Sequence, residues 1–312
     1  MKVFKNSATL GKIKNPVLTL GNFDGLHLGH RKIIKSVAAR AKKLGVPSAV
    51  YTFDPHPLKV VSPLKSPPLL LDIEDKTRLV GEAGIDYLIF ARFTREFAEK
   101  HPREFVEEVM LPLSVREVWV GHDFKFGRSK TGTVEYLKEL GGEFGFRVVV
   151  VDAYKKGGHI VSSSRIRSLV SAGKVGQAAG LLGRRYSIKG RVVKGRNIGK
   201  GMGFPTANLK VSSELLPAGG VYAAYAAVDG RTLPAVLNIG KAPTFGGRDT
   251  TVEVHILDFN GDIYGREMEV SFVRRIRSEK AFKSKEGLVA RIKKDAERAR
   301  AILTGPRAAL VP

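Results

Sequence analysis

The stretch Val17–His30, VLTLGNFDGLHLGH, decides how the first half of the chain is read. Val17 to Leu20 is a short apolar and β-branched run that fits a buried strand. Glycines then allow a tight turn, and Arg31–Leu44 carries Ile33, Ile34, Val37, Ala38, Ala41 and Leu44 at helical spacing, with Gly45 and Pro47 as the stop. In a strand, turn and helix of this kind, the helix N-terminus presents unpaired N–H groups and positive dipole potential, where a phosphate is stabilised. His27 and His30 stand at that mouth, where imidazole donates to phosphate oxygens and, with an ordinary pKa near neutrality, is held protonated by a triphosphate. Gly21, Phe23 and Gly29 are read as parts of the phosphate-binding loop. Asn22 and Asp24 are either polar contacts of the same pocket or residues that hold the turn.

Working outward, further strand candidates are Ser48–Thr52, Tyr87–Phe90, Glu117–Gly121 and Arg147–Val151, alternating with helical segments and a proline-rich loop at Ser62–Pro68. That alternation predicts an α/β Rossmann-like domain with a parallel sheet. After Leu182 the pattern changes to strand candidates at Tyr186–Val193, Val221–Val228, Leu233–Ile239, Thr251–Leu257 and Ile263–Val273, divided by turn signals such as Asp229-Gly230 and Gly246-Gly247. A small antiparallel β-barrel is expected, closed by an amphipathic C-terminal helix at Glu286–Leu303 with Leu288, Val289, Ile292, Ala296, Ala299 and Leu303 on its apolar stripe. The expected domains are residues 1–183 and 184–312.

With no cysteine, disulfides, thiolate metal sites and cysteine nucleophiles are excluded. No apolar run approaches the roughly 20 residues of a membrane-spanning helix, and the N-terminal residues lack an export signal, so a cytoplasmic protein is expected. The formal net charge of +23 favours anionic partners, but it is spread as doublets such as Lys42-Lys43 and Arg184-Arg185. A generally basic solvated surface accounts for that, and no nucleic-acid-binding motif accompanies it.

Three further segments of the first half carry chemistry. In Ser162–Arg167, Ser163 or Ser164 can cap a helix while Arg167 offers a fork of donors to phosphate; an ordinary capped helix is the alternative. Asp123 and Phe124, within Gly121–Gly127, follow a strand at the end where open parallel sheets bind ligands. Phe53 and Pro55, within Phe53–Pro57, read as a rigid loop. In the second half, Gly190–Leu209 clusters glycines with Lys194, Arg196 and Lys200, so that backbone N–H groups can converge on phosphate, although loop flexibility would also explain them. A P-loop is rejected because the spacing from Gly195 to Lys200 is one residue short and Gly201 replaces the required hydroxyl. Thr206 and Asn208 alternate on one strand face as oxygen donors suited to magnesium on ATP phosphates, or are simply structural.

The His27–His30 stretch resembles the HxGH signature of nucleotidyltransferases, and together with Phe53–Pro57, Gly121–Gly127 and Ser162–Arg167 it resembles their FAD synthetase branch. Gly203-Phe204-Pro205-Thr206-Ala207-Asn208 resembles the GxPTAN signature of riboflavin kinases, supported by Gly220-Val221-Tyr222, Asn238-Ile239-Gly240, Pro243-Thr244-Phe245, Val252–Leu257, Tyr264-Gly265 and Ile276-Arg277 with Phe282. The chain is therefore similar to prokaryotic bifunctional riboflavin kinases/FAD synthetases. That resemblance implies Glu253 as general base for phosphorylation of riboflavin, Thr206 and Asn208 at Mg2+-ATP, and Lys194, Gly195, Lys200, Gly203 and Pro205 around the ATP phosphates. It implies adenylylation of FMN at the first site, with Ser163, Ser164 and Arg167 on ATP and Asn22, Asp24, Phe53, Pro55, Asp123 and Phe124 at the flavin; Arg277 and Phe282 lie where the family covers the other flavin. The implied partners are ATP, riboflavin, FMN and FAD, with a monomer as the default and neither membrane nor nucleic acid engaged. The rival readings are a nucleotidyltransferase with another acceptor and a non-enzymatic flavin- or RNA-binding protein.

Overall fold

In the computed structural model, residues 1–5, 13–194, 204–244, 247–282 and 284–305 are described. Within the chain, contacts separate Met1–Ser162 from Ser163–Pro312.

The first unit contains β1 (Lys2–Lys5), β2 (Val17–Leu20), α1 (Leu28–Leu44), β3 (Ser48–Asp54), α2 (Pro57–Val61), α3 (Ile73–Glu82), β4 (Tyr87–Arg92), α4 (Arg95–Ala98), α5 (Pro102–Phe105), β5 (Glu117–Gly121), α6 (Val134–Phe144), β6 (Arg147–Val151) and the hairpin β7 (Lys155–Lys156) and β8 (His159–Ile160). Six strands form one parallel sheet in the order β1-β4-β3-β2-β5-β6. The parallel α/β expectation holds. β1 was absent from the sequence reading, and α1 begins at Leu28, three residues before the expected Arg31, because His27 already caps it. Apolar clusters fill both faces: Leu18, Tyr51, Ile89 and Val118 on one, Val17, Val50, Leu88 and Ile34 on the other. Alternate residues of each strand thus enter opposite cores, which explains near-continuous apolar runs.

The second unit contains α7 (Ser163–Ser171), α8 (Val175–Leu182), β9 (Ser187–Val193), β10 (Ala207–Val211), β11 (Gly220–Val228), β12 (Arg231–Thr244), β13 (Gly247–Ile256), β14 (Glu267–Arg277) and α9 (Lys285–Thr304). The strands close into an antiparallel barrel, β10-β13-β12-β11-β14-β9, as expected. The expected strand at Ile263–Val273 is displaced to β14: Asp262 Oδ1 accepts the Tyr264 N–H and Gly265 has φ 76°, so residues 262–265 form a turn. α9 covers the barrel through Ala299 and Leu303 packed on Val221, Ala223 and Ile276.

Candidate functional site

The Gly21–His30 loop leaves β2, which pairs with β3 on one side and β5 on the other. The sheet is wound in opposite directions from this place, the point at which open parallel sheets bind ligands beyond the strand C-termini. Asp123 and Phe124 follow β5 at the same edge. Two motifs separated by a hundred residues are thereby brought to one crevice.

Within the loop, Phe23, Gly25 and Leu26 have φ values of 45°, 83° and 38°, a turn held by burial of Phe23 and Leu26. His27 is the N-cap of α1, with Nδ1 accepting the His30 N–H at 3.3 Å. The two imidazoles stack at 3.6 Å between centroids, and Phe23 meets His30 edge-on at 5.3 Å. A Cβ at Gly29 would lie 3.1 Å from His27 Cε1, so the glycine makes room for that ring. No acidic residue stands in the first turn of α1, leaving its positive end available to an anion.

His30 Nδ1 is shielded from solvent and has no hydrogen-bond partner among the described residues. Burial, then His27 and Lys76, hold the His30 pKa well below the ordinary 6.5. The surroundings of His30 thus favour the neutral imidazole over the charged one.

Asp24 is buried, and its carboxylate accepts the Leu70 N–H at 3.0 and 3.2 Å, which favours the turn-holding alternative for this residue. Asn22 is exposed, while its carbonyl accepts from Lys76 Nζ at 2.9 Å and Thr52 Oγ1 at 3.3 Å. Lys76 received no role from the sequence. Phe53 joins Phe93 and Phe97 in an edge-to-face set, at 5.3 and 5.8 Å, and Phe124 stacks on Phe126 at 5.5 Å; Pro55 and Asp123 are exposed. α7 starts at Ser163, so Ser163 and Ser164 lie in its first turn, and Arg167 follows one turn later. These three belong to the second unit by contact, and their assignment to ATP rests on the motif.

In the barrel, strand register brings together what the sequence left apart. Asn208 on β10 is the partner of Glu253 on β13, which is also the partner of Asn238 on β12. Val252, Val254, Leu237 and Ile239 are buried, so this row of polar side chains occupies the opposite, outer face of the barrel wall. Directly opposed side chains are neighbours at about 5 Å between Cβ atoms. Thr206 lies one residue before β10, which corrects its placement on the strand, and the Pro205 carbonyl is held by His255 Nδ1 at 2.8 Å. Lys194 is exposed one residue beyond Val193, the β9 partner of Asn208. Gly195, Lys200 and Gly203 lie outside the described residues. Arg277 Nε donates to the buried Asp295 at 2.7 Å, and its guanidinium lies 5.7 Å from the Phe282 ring centre.

The family model for FAD synthetase matches residues 11–165, and that for riboflavin kinase matches residues 182–303. The chain belongs to the bifunctional riboflavin kinase/FMN adenylyltransferase family. It is 37% identical to the Escherichia coli K12 protein of that name over 281 residues, covering 89% of this chain and 90% of the relative. Identity to the Listeria monocytogenes family member is 38% over 290 residues, or 92% of both chains. A crystal structure described as a macrolide-efflux protein from Streptococcus pneumoniae matches with a TM-score of 0.88 and 31% identity, covering 96% of this chain and 98% of that one. Among the described residues no helix is long and apolar enough to cross a membrane. Both catalytic domains of the family, adenylyltransferase and kinase, are thus present in one chain.

Proposed function

We propose that the barrel phosphorylates riboflavin at the Asn208–Glu253–Asn238 row and that the crevice at β2 and β5 adenylylates the FMN so formed. The observation that carries the reading is the register that sets Glu253 between two carboxamides, all three half-buried, on the outer face of the barrel wall. Glu253 accepts the proton of the ribityl hydroxyl as that oxygen attacks the γ-phosphorus, with FMN and ADP as products. Asn208 and Asn238 flank the carboxylate and restrict where the hydroxyl can sit. Thr206 and Asn208 offer oxygen donors alone, a set that fits Mg2+. We expect the cation to arrive with ATP, bound to its phosphates. When bound, it offsets charge on the phosphates.

At the first site the α1 N-terminus receives ATP phosphates, and His27 and His30 donate to oxygens as the FMN phosphate attacks the α-phosphorus and pyrophosphate leaves. No covalent enzyme intermediate is needed, so positioning and electrostatics supply the catalysis. Phe53 and Phe124 provide apolar surface for the flavin. The proposed functional boundary is near residue 183, close to the start of the riboflavin kinase match at residue 182. Consumption of ATP supports a cytoplasmic protein, and a monomer is the proposed state. Purified protein incubated with riboflavin, ATP and magnesium, with flavins separated chromatographically, should yield FMN and then FAD. The appearance of neither would contradict the proposal.

A further inference from the structure

Lys76 is among the few charged side chains buried in the described structure, and no step above uses it. It lies on α3, on the face that also buries Val80. Its Nζ donates to the Asn22 carbonyl at 2.9 Å and approaches Thr52 Oγ1 at 3.5 Å. Asn22 opens the strained turn in which three of the next four residues have positive φ. Such a turn persists only where its surroundings over-determine it. Its ties come from outside: Lys76 and Thr52 hold the Asn22 carbonyl, and the Leu70 N–H holds the Asp24 carboxylate.

We infer that Lys76 is a positioning residue for FMN adenylylation, clamping the Asn22 carbonyl so that the turn presents the stacked His27 and His30 to the phosphates. A carbonyl could be satisfied by a neutral donor without the cost of burying a charge. The ammonium adds positive potential beneath the phosphate mouth, and Asp24 and Asp54 lie close enough to support its charge against desolvation. Its field also falls on His30, adding to burial and to His27 in disfavouring the charged imidazole. Lys76 and His27 are the charged or titratable groups acting on His30 here, while Asp24 and Asp54 face the lysine.

The inference rests on the assignment of His27 and His30 above. Lys76→Met is the test, in the full chain. The expected result is at least a tenfold fall in kcat for adenylylation, with KM for ATP changed by less than about threefold and riboflavin phosphorylation within twofold of wild type. The His30 imidazole, followed by NMR, should titrate at higher pH than in the wild type, because a positive charge has been removed. Wild-type adenylylation, or a fall in kcat with an unmoved His30 titration, would overturn the inference. Should the variant fail to fold, the wild-type protein decides: a Lys76 ammonium signal in slow exchange with water supports the clamp, and one exchanging as freely as surface lysines overturns it. His30→Ala separates the two levels. If it leaves adenylylation intact, the site assignment itself fails; if it abolishes adenylylation while Lys76→Met does not, only the role of Lys76 fails.

Discussion

Gly29→Ala tests the geometry of the phosphate mouth with a single methyl group. The added Cβ would stand 3.1 Å from His27 Cε1, 3.2 Å from His27 Nδ1 and 3.5 Å from Tyr154 Cβ, so the imidazole must yield by a few tenths of an ångström. His27 is stacked on His30 at 3.6 Å and accepts its N–H at 3.3 Å, so movement of one ring is passed to the other. Stability should barely change. Alanine gains up to about 1 kcal/mol of helix propensity over glycine, and a weakened N-cap loses about 1 kcal/mol. Activity should change more, because a misplacement of about 1 Å can cost roughly a hundredfold in rate. A shift of a few tenths therefore predicts a fall of about tenfold in kcat for FAD formation from supplied FMN and ATP. Pyrophosphate release measures this, with thermal unfolding and riboflavin phosphorylation as controls expected to stay near wild type. Wild-type adenylylation would refute the claim that the His27 ring position matters. A collapse of both activities would refute its confinement to the first site.

Three other outcomes are expected. ATP binding near pH 6 should take up protons, since phosphate charge raises the depressed His30 pKa; calorimetry in buffers of different ionisation enthalpy would show this, and equal uptake by His30→Asn would contradict it. Asn238→Leu should lower kcat for riboflavin phosphorylation about tenfold or more with FAD synthesis from FMN preserved, and unchanged kinase kinetics would remove Asn238 from the site. Glu117 is buried and its pKa is lowered chiefly by the Arg40 hydrogen bond, so its contribution to stability is present above the ordinary glutamate pKa of about 4.3 and is lost as pH falls through the lower folded value. The melting difference between wild type and Glu117→Gln should accordingly shrink with acidification, and a difference independent of pH would exclude the ion pair as its source.

The sequence announces buried parallel strands well because each is apolar on both faces. Val17–Leu20, Glu117–Gly121 and Arg147–Val151 are found at the limits read from the sequence. Lys2–Lys5 escaped because an edge strand with lysine at both ends has little apolar pattern, although it pairs with β4 in the sheet. His27 and His30 were legible from local spacing, since loop and helix fix them together. Lys76 was not, because Asp75 and Arg78 beside it suggest a solvated face. The available signal was its helical spacing to Leu79, Val80 and Ala83, which places a lysine on the apolar side. The Asn208–Glu253–Asn238 row depends on pairing between three strands, and no local pattern specifies that register.

The central claim is that two chemically separate sites share this chain, and it is tested most directly by assaying Glu253→Ala and His30→Ala side by side. Each folded variant would be supplied with riboflavin and ATP or with FMN and ATP, and the flavins resolved. Glu253→Ala should form no FMN yet still convert FMN to FAD, while His30→Ala should form FMN and stop there. Loss of both activities in either folded variant, or retention of the wild-type rate at the site each residue is assigned to, would contradict it.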